Sequence, residues 1–366
     1  MKKILYVSAF SPKKHAGHAG GRVAFENLTR LQSEGDVDAV VCTSENIPAG
    51  SEQSIKVISQ SKISFSLYIV KNFGALSWRT LLAAPIIHSR LNLEAEGVIA
   101  DLLRIHHYDE VFVDFTQCLL LVSRAMARSG TKMRITACLH DVFAQRMIRS
   151  RGLVESALTG LICRQEQELI GSLDGITVLC EKDRDLVKSL YAATSVVIKP
   201  FSAPDWCASV DRCSNRSDPE NVVFFGNFER SENSSAARWF IANAMPKMRS
   251  AIPGLVLTLV GTGSERLAAK IGVVDVVGTG FVEDPSSYFS RCGCAIAPLF
   301  EGAGVKFKVL EALACGVPVI GTAVACEGIV PQPMLFHAEH AAFAAETIRI
   351  LKMAHHGNTD LPVVRP

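Results

Sequence analysis

The chain has 366 residues, with 38 Lys+Arg against 36 Asp+Glu, a formal charge of +2 and 48% hydrophobic residues. A chain this apolar and this close to neutral buries enough surface to offset its ordering entropy, which excludes disorder. It also lacks the basic excess of a dedicated nucleic-acid binder. At roughly 100–200 residues per domain, the length predicts two domains.

The N-terminus, MKKILYVSAFSPKK, puts two lysines before a short apolar run and faintly imitates a signal peptide. Charge returns at Lys13, so the run reads as a first β-strand. The next apolar-periodic segment, residues 21–35, has Val23, Leu28 and Leu31 near helical spacing and stops at Gly35. Strand-like runs follow at 38–43, 110–115, 133–139, 175–180 and 195–201, with helical segments between them. These runs are continuously apolar rather than alternating, which suits a parallel sheet covered on both faces. No run approaches the ~18 apolar residues of a membrane span. The 11 cysteines, from Cys42 to Cys326, include no CxxC pair. They read as reduced thilos of a cytoplasmic protein rather than as a disulfide framework or zinc ribbon.

Residues 202–220, SAPDWCASVDRCSNRSDPE, are polar and aperiodic and read as an inter-domain linker. The alternation then restarts. Strands are predicted at 221–226, 255–261, 274–278, 293–299 and 317–322, and helices over 234–250, 264–271, 285–291 and 305–315. The chain therefore divides into residues 1–200, a linker over 201–220, a second α/β domain over 221–350, and a tail over 351–366. Ligands of open α/β sheets bind beyond the carboxyl ends of the strands, so two such domains facing one another would form a central cleft.

The segment 298–328, PLFEGAGVKFKVLEALACGVPVIGTAVACEG, carries the densest chemistry. A strand ends at Pro298, and a loop with Gly302 and Gly304 feeds a helix starting near Val305. Glycines at a helix N-terminus expose backbone N–H groups where the dipole favours phosphate. Lys306 and Lys308 stand in that first turn, where the dipole disfavours cations. Such a placement points to an anionic ligand, while an ordinary solvated Lys-Lys-Glu face is the plainer alternative.

The run GAGVKFKVLEALACGVPVIGT resembles the donor-site signature of the GT-B glycosyltransferases of family 4 type, the glycosyl transferases group 1. NVVFFGNFERSENSSAARWF (221–240), LVLTLVGTG (255–263) and VVGTGFVEDPSSYFSRCGCAIAPL (276–299) match further parts in the same order. In the N-terminal half, LHDVFAQRM (139–147) and DGITVLCEKDRDLV (174–187) also fit. The resemblance implies two Rossmann-like domains of GT-B type, with a nucleoside-diphosphate-sugar donor on the C-terminal domain and the acceptor on the N-terminal one. It implies transfer to a hydroxyl with retention of configuration, in glycan or glycoconjugate biosynthesis. No cofactor or metal is implied, since the nucleotide sugar enters as substrate. It places Glu311 on the donor ribose. The family's other glutamate, eight residues earlier, falls on Ala303, with Glu301 the nearest carboxylate. The basic pair expected after the first donor-domain strand falls on Asn227 and Glu232, following Gly226. Lys306 and Lys308 then remain to neutralise the diphosphate.

His140 and Asp141 follow a strand, where a ligand-facing loop begins; His140 reads either as a contact to sugar or phosphate or as a strand-end cap. Gly20 and Gly21 open a helix, and within the family they would face the donor phosphates. The DRD run at 183–185 imitates a metal motif but sits in a first helical turn, where acids are ordinary dipole partners. Residues 63–91 mix Phe65, Leu67, Tyr68, Phe73 and Trp78 with Lys62, Lys71, Arg79 and Arg90. They read either as core-facing helices or as an interfacial surface for a lipid-linked acceptor at the inner face of the membrane. Two other functional classes fit the same architecture, a nucleotide-sugar epimerase and a non-catalytic nucleotide-sugar-binding subunit. The short tail after the last predicted helix suggests that the family's returning C-terminal helices are reduced.

Overall fold

The computed structural model describes residues 1–14, 19–43, 55–59, 61–75, 87–149, 153–193, 195–210 and 218–355. The chain forms two units, Met1–Lys199 and Pro200–Pro366. The tail beyond residue 355 lies outside the described residues, as do Cys213 and Trp78.

The first unit opens with β1 (Lys2–Ser8), α1 (Ala19–Glu34), β2 (Gly35–Thr43), β3 (Ile55–Ser59) and α2 (Lys62–Lys71). It continues through α3 (Leu93–Ile105), β4 (Glu110–Asp114), α4 (Leu119–Ser129), β5 (Arg134–Leu139), α5 (Phe143–Arg149), α6 (Leu153–Ile170), β6 (Gly175–Val178), α7 (Glu181–Tyr191) and β7 (Val196–Ile198). All seven strands pair in parallel in the order β3-β2-β1-β4-β5-β6-β7. The sheet winds outward in both directions from β1 and β4, so its topological switch point lies between them. Every residue of β4 is buried, which explains the uninterrupted apolar run that ends in an acid, Asp114. Local signals set the helix ends. The Asn92 side chain accepts from the N–H groups of Glu94 (2.8 Å) and Ala95 (3.3 Å), capping α3. Gly130, in the left-handed region at φ 76°, ends α4.

The second unit contains β8 (Asp218–Phe225), α8 (Ser231–Asn243), α9 (Met245–Ala251), β9 (Val256–Val260), α10 (Ser264–Ile271) and β10 (Val276–Gly278). It is completed by α11 (Ser286–Arg291), β11 (Cys292–Ala297), α12 (Phe307–Ala314), β12 (Val319–Gly321), α13 (Ala323–Cys326), β13 (Leu335–His337) and α14 (Phe343–His355). Its strand order is β10-β9-β8-β11-β12-β13, all parallel, with the switch point between β8 and β11. Each unit has its own apolar core.

Three local expectations are corrected. The single helix over 234–250 is two helices, because the chain turns at Ala244 and α9 begins at Met245 with Pro246 in its first turn. The helix near Val305 begins later, at Phe307, with Lys306 as the residue flanking its N-terminus. The polar stretch after residue 202 is not wholly exposed. Cys207 and Val210 are buried in the second core, and Trp206 stacks on Phe289 with centroids 5.5 Å apart. None of the ten described cysteines forms a disulfide.

Candidate functional sites at the two switch points

In the second unit, β8 runs into Gly226 and β9 into Gly261. Gly261 has φ 126°, and a Cβ there would lie 2.2 Å from the Gly226 carbonyl oxygen, so the two turns pack backbone on backbone. Across the switch point, the loop after β11 passes through Gly302 (φ 123°) and Gly304 (φ 68°) before α12. The close approach of these turns leaves backbone at the carboxyl edge where side chains would otherwise stand.

Lys308 projects from the first turn of α12 into this place. Its ammonium donates to the Asn233 side-chain oxygen and lies 5.2 Å from the centre of the Phe224 ring. Asn233 in turn donates to the Asn227 carbonyl at 2.6 Å, and the Asn227 side chain accepts from the Glu229 N–H at 2.9 Å. Beside them, a Cβ on Gly226 would lie 3.1 Å from the Lys308 nitrogen. Burial pushes the Lys308 ammonium down to about 7, aided by the nearby charges of Arg230 and Lys306 and opposed by Glu232. Glu232 itself pairs with Arg230.

Lys306 takes a different direction, donating to the carbonyls of Gly304 (2.6 Å) and Ala303 (3.2 Å) in its own loop. Lys306 stands in the extended residue that flanks α12 and Lys308 in its first turn, and their ammonium groups meet different partners. Glu311 is only 2% exposed, on the same buried side of α12 as Val309 and Ala312. Its backbone carbonyl accepts from the Cys207 thiol. Glu301 is half-buried in the loop before α12. The fold therefore gathers Gly226, Asn227 and Lys308, and sets the loop bearing Gly302, Gly304 and Lys306 on the adjoining strand. Asn233 and Arg230 were missed in the sequence; their signal was a helix start directly after a glycine-ended strand.

The first unit carries His140 at its own switch point. The ring nitrogen Nε2 of His140 donates to Asp114 at 2.7 Å; Asp114 is fully buried and the His140 side chain is 12% exposed. Asp114 also accepts from the Tyr6 hydroxyl at 2.7 Å and from the Asn27 amide at 3.2 Å. Asn27 receives a bond from Lys199 at 2.9 Å. Burial opposes the charged imidazole, but Asp114 and Cys138 together outweigh it, and His140 is pushed up to about 10. Phe115 stacks on the ring at 3.6 Å between centroids, held at φ 80°, a left-handed conformation costly for a non-glycine residue. Glu166 ties the following turn in place by accepting from the N–H groups of Phe143 (2.9 Å) and Ala144 (3.0 Å).

Asp114, Cys138 and His140 bring a carboxylate, a thiol and an imidazole within 4.8 Å, a donor set a metal could use. Asp114, Tyr6 and Asn27 escaped the sequence reading. Asp114 was visible only as an acid closing an apolar strand. Gly20 and Gly21 lie in the first turn of α1, and the Gly21 carbonyl accepts from the Lys13 N–H. In the DRD run, Asp183 is buried in the first turn of α7 and pairs with Lys182 at 2.6 Å.

Comparison with known proteins finds a family match over the second unit and fold neighbours over nearly the whole chain. Residues 219–353 match the family described as glycosyl transferases group 1. A 44.6 kDa protein in the cps region of Klebsiella pneumoniae is 22% identical over 349 residues, 90% of this chain and 84% of the relative. Among solved structures, the sucrose-phosphate synthase of Thermosynechococcus elongatus superposes with a TM-score of 0.67 at 16% identity, covering 98% of this chain and 92% of that one. The Anabaena HepE protein in complex with UDP-glucose superposes at 0.62 and 14% identity, covering 99% and 92%.

Proposed function

We propose that this chain, a GT-B protein with a glycosyl transferases group 1 domain over residues 219–353, transfers a sugar from a nucleoside diphosphate sugar to a hydroxyl acceptor with retention of configuration. The acceptor is a glycan or a lipid-linked saccharide. The observation that carries this reading is Lys308, a part-buried ammonium whose partners are an amide oxygen and an aromatic face, set beside two closely packed glycine turns. A diphosphate adds counter-charge beside Lys308, where the acid acting on it, Glu232, is also paired with Arg230. The structural neighbour holding UDP-glucose supports a donor of that class.

In the proposed reaction the bond from the sugar's anomeric carbon to the diphosphate breaks and a bond to the acceptor oxygen forms. The acceptor's proton passes to the departing diphosphate. Lys308 neutralises the charge that develops on that leaving group, and the dipole at the start of α12 adds to it. Lys306 keeps the glycine loop in shape through its bonds to the 303 and 304 carbonyls. Glu311 receives the ribose hydroxyls. His140, held as an imidazolium by Asp114, donates to a sugar hydroxyl.

The test is turnover with a panel of nucleotide sugars, comparing Lys308→Ala with Lys306→Ala. Losing a preorganised group that acts on the transition state costs roughly 10²–10³ in rate, and that loss is expected at Lys308, with a smaller one at Lys306. Near-normal turnover in Lys308→Ala would remove the diphosphate from this helix.

A further inference from the structure

Helix α2 packs one face into the first core and leaves the other uncovered. Phe65, Tyr68 and Ile69 face inward. Tyr68 donates to Glu96 at 2.6 Å, and the Arg124 guanidinium lies 5.4 Å from the centre of its ring. On the outer side, Ile63 is 80%, Leu67 46% and Val70 71% exposed, and Phe73, in the turn that follows, is 66% exposed. Ile63, Leu67 and Val70 are spaced i, i+4, i+7, which makes them one stripe along the helix. Among the described residues fourteen large apolar side chains are exposed, and four of them fall within residues 63–73. Scattered apolar residues on a surface are ordinary, whereas a stripe of this kind marks an interaction site.

Charge says what the stripe meets. From Gln53 to Leu93 the chain has no Asp or Glu, while it carries Lys56, Lys62, Lys71, Arg79 and Arg90. At the chain's average of 36 acids in 366 residues, such a stretch would hold about four. Lys62 and Lys71 stand at the two ends of α2 itself. Among the described residues, Glu96 is buried beneath α2, accepts from Tyr68 and faces Arg124 and Arg128. An exposed apolar stripe bounded by lysines, in a segment cleared of acids, has the chemistry of a helix lying in a bilayer interface, with apolar side chains among acyl chains and cations at anionic headgroups.

We infer that α2 docks the first unit on an anionic lipid surface, with Ile63, Leu67, Val70 and Phe73 inserted and Lys71 at the headgroups. This rests on the face of α2 alone and is independent of the transfer chemistry, because the test reads binding. The full chain is sedimented with phosphatidylcholine vesicles and with vesicles containing phosphatidylglycerol. The wild-type chain pellets with the anionic vesicles and not with the neutral ones, and raised salt weakens the association. Replacing Ile63, Leu67 and Val70 together by Ser lowers the partition coefficient tenfold or more. The pair Lys62→Glu and Lys71→Glu lowers it comparably, and decides the matter by itself if the serine variant does not fold. Absence of wild-type binding to the anionic vesicles, or binding by the folded variants equal to wild type, would overturn the assignment. So would a dimer in vesicle-free solution that the serine variant dissolves, since the stripe would then belong to a second copy of the chain.

Discussion

Two residues carry charges that their surroundings push in opposite directions. Lys308 falls to about 7 because burial disfavours its ammonium; His140 rises to about 10 because Asp114, with Cys138, overcomes the same penalty. A nucleoside diphosphate favours the charged form of Lys308, so affinity should fall as pH rises from 7.5 to 9, by up to about tenfold per unit. Above pH 7.5 the terminal phosphate, with a pKa near 6, is already ionised and contributes no trend of its own. Calorimetry across that range checks this, and Lys308→Met should give a flat profile. For His140, the raised pKa means stabilisation that is full below pH 6.5, declines between 6.5 and 10, and is gone above. Asp114→Asn should therefore cost about 3 kcal/mol near pH 6.5, the size expected for breaking a buried pair, and much less at pH 10.5. Urea unfolding at the two pH values measures the difference.

At the scale of elements, each switch point depends on a turn held by groups outside it. The turn that carries His140 leads into α5, whose first N–H groups donate to Glu166 from α6. Tyr191 of α7 donates to the same carboxylate. Three donors converge on an acceptor-only group, so Glu166→Gln turns an amide N–H₂ toward donors and should destabilise by about 1–3 kcal/mol. Thermal unfolding reads that loss, and a drop in acceptor affinity larger than any in donor affinity would place the effect at the His140 turn. In the second unit the equivalent support is backbone on backbone, Gly261 against Gly226. The glycine-rich sequence there announced a tight turn. It did not announce which turn it packs against, because that partner comes from the neighbouring strand 35 residues away.

At the scale of the molecule, the two cores do not share residues, and the family match lies wholly within the second unit. Residues 200–366 made alone should therefore fold and retain nucleoside-diphosphate affinity, while turnover is lost. A thermal shift reads this directly, since ligand at 100 times its dissociation constant stabilises by about 2.7 kcal/mol. An unfolded fragment, or a folded one without any shift, would mean that the second unit does not bind donor by itself.

The sequence by itself determined the class of fold and the position of the glycine-led helix. Continuous apolar strands alternating with periodic helices admit little but parallel sheets covered on both faces, and glycines before a helix mark an anion-favouring end wherever the chain goes. Of the misplaced details, the start at Phe307 moved a boundary, whereas the split at Ala244 made two helices of one. Only the tertiary structure decided which lysine turns inward, because Lys306 and Lys308 look alike in sequence and differ in what the next strand and helix present to them, Asn233 and Phe224 for one and loop carbonyls for the other. It alone joined Asp114 to His140, 26 residues apart on neighbouring strands, and it alone left Ile63, Leu67 and Val70 uncovered on a helix whose apolar residues run all the way round. Local propensity and pattern are written along the chain, whereas burial, pairing and exposure are relations between segments and exist only once the sheets have formed.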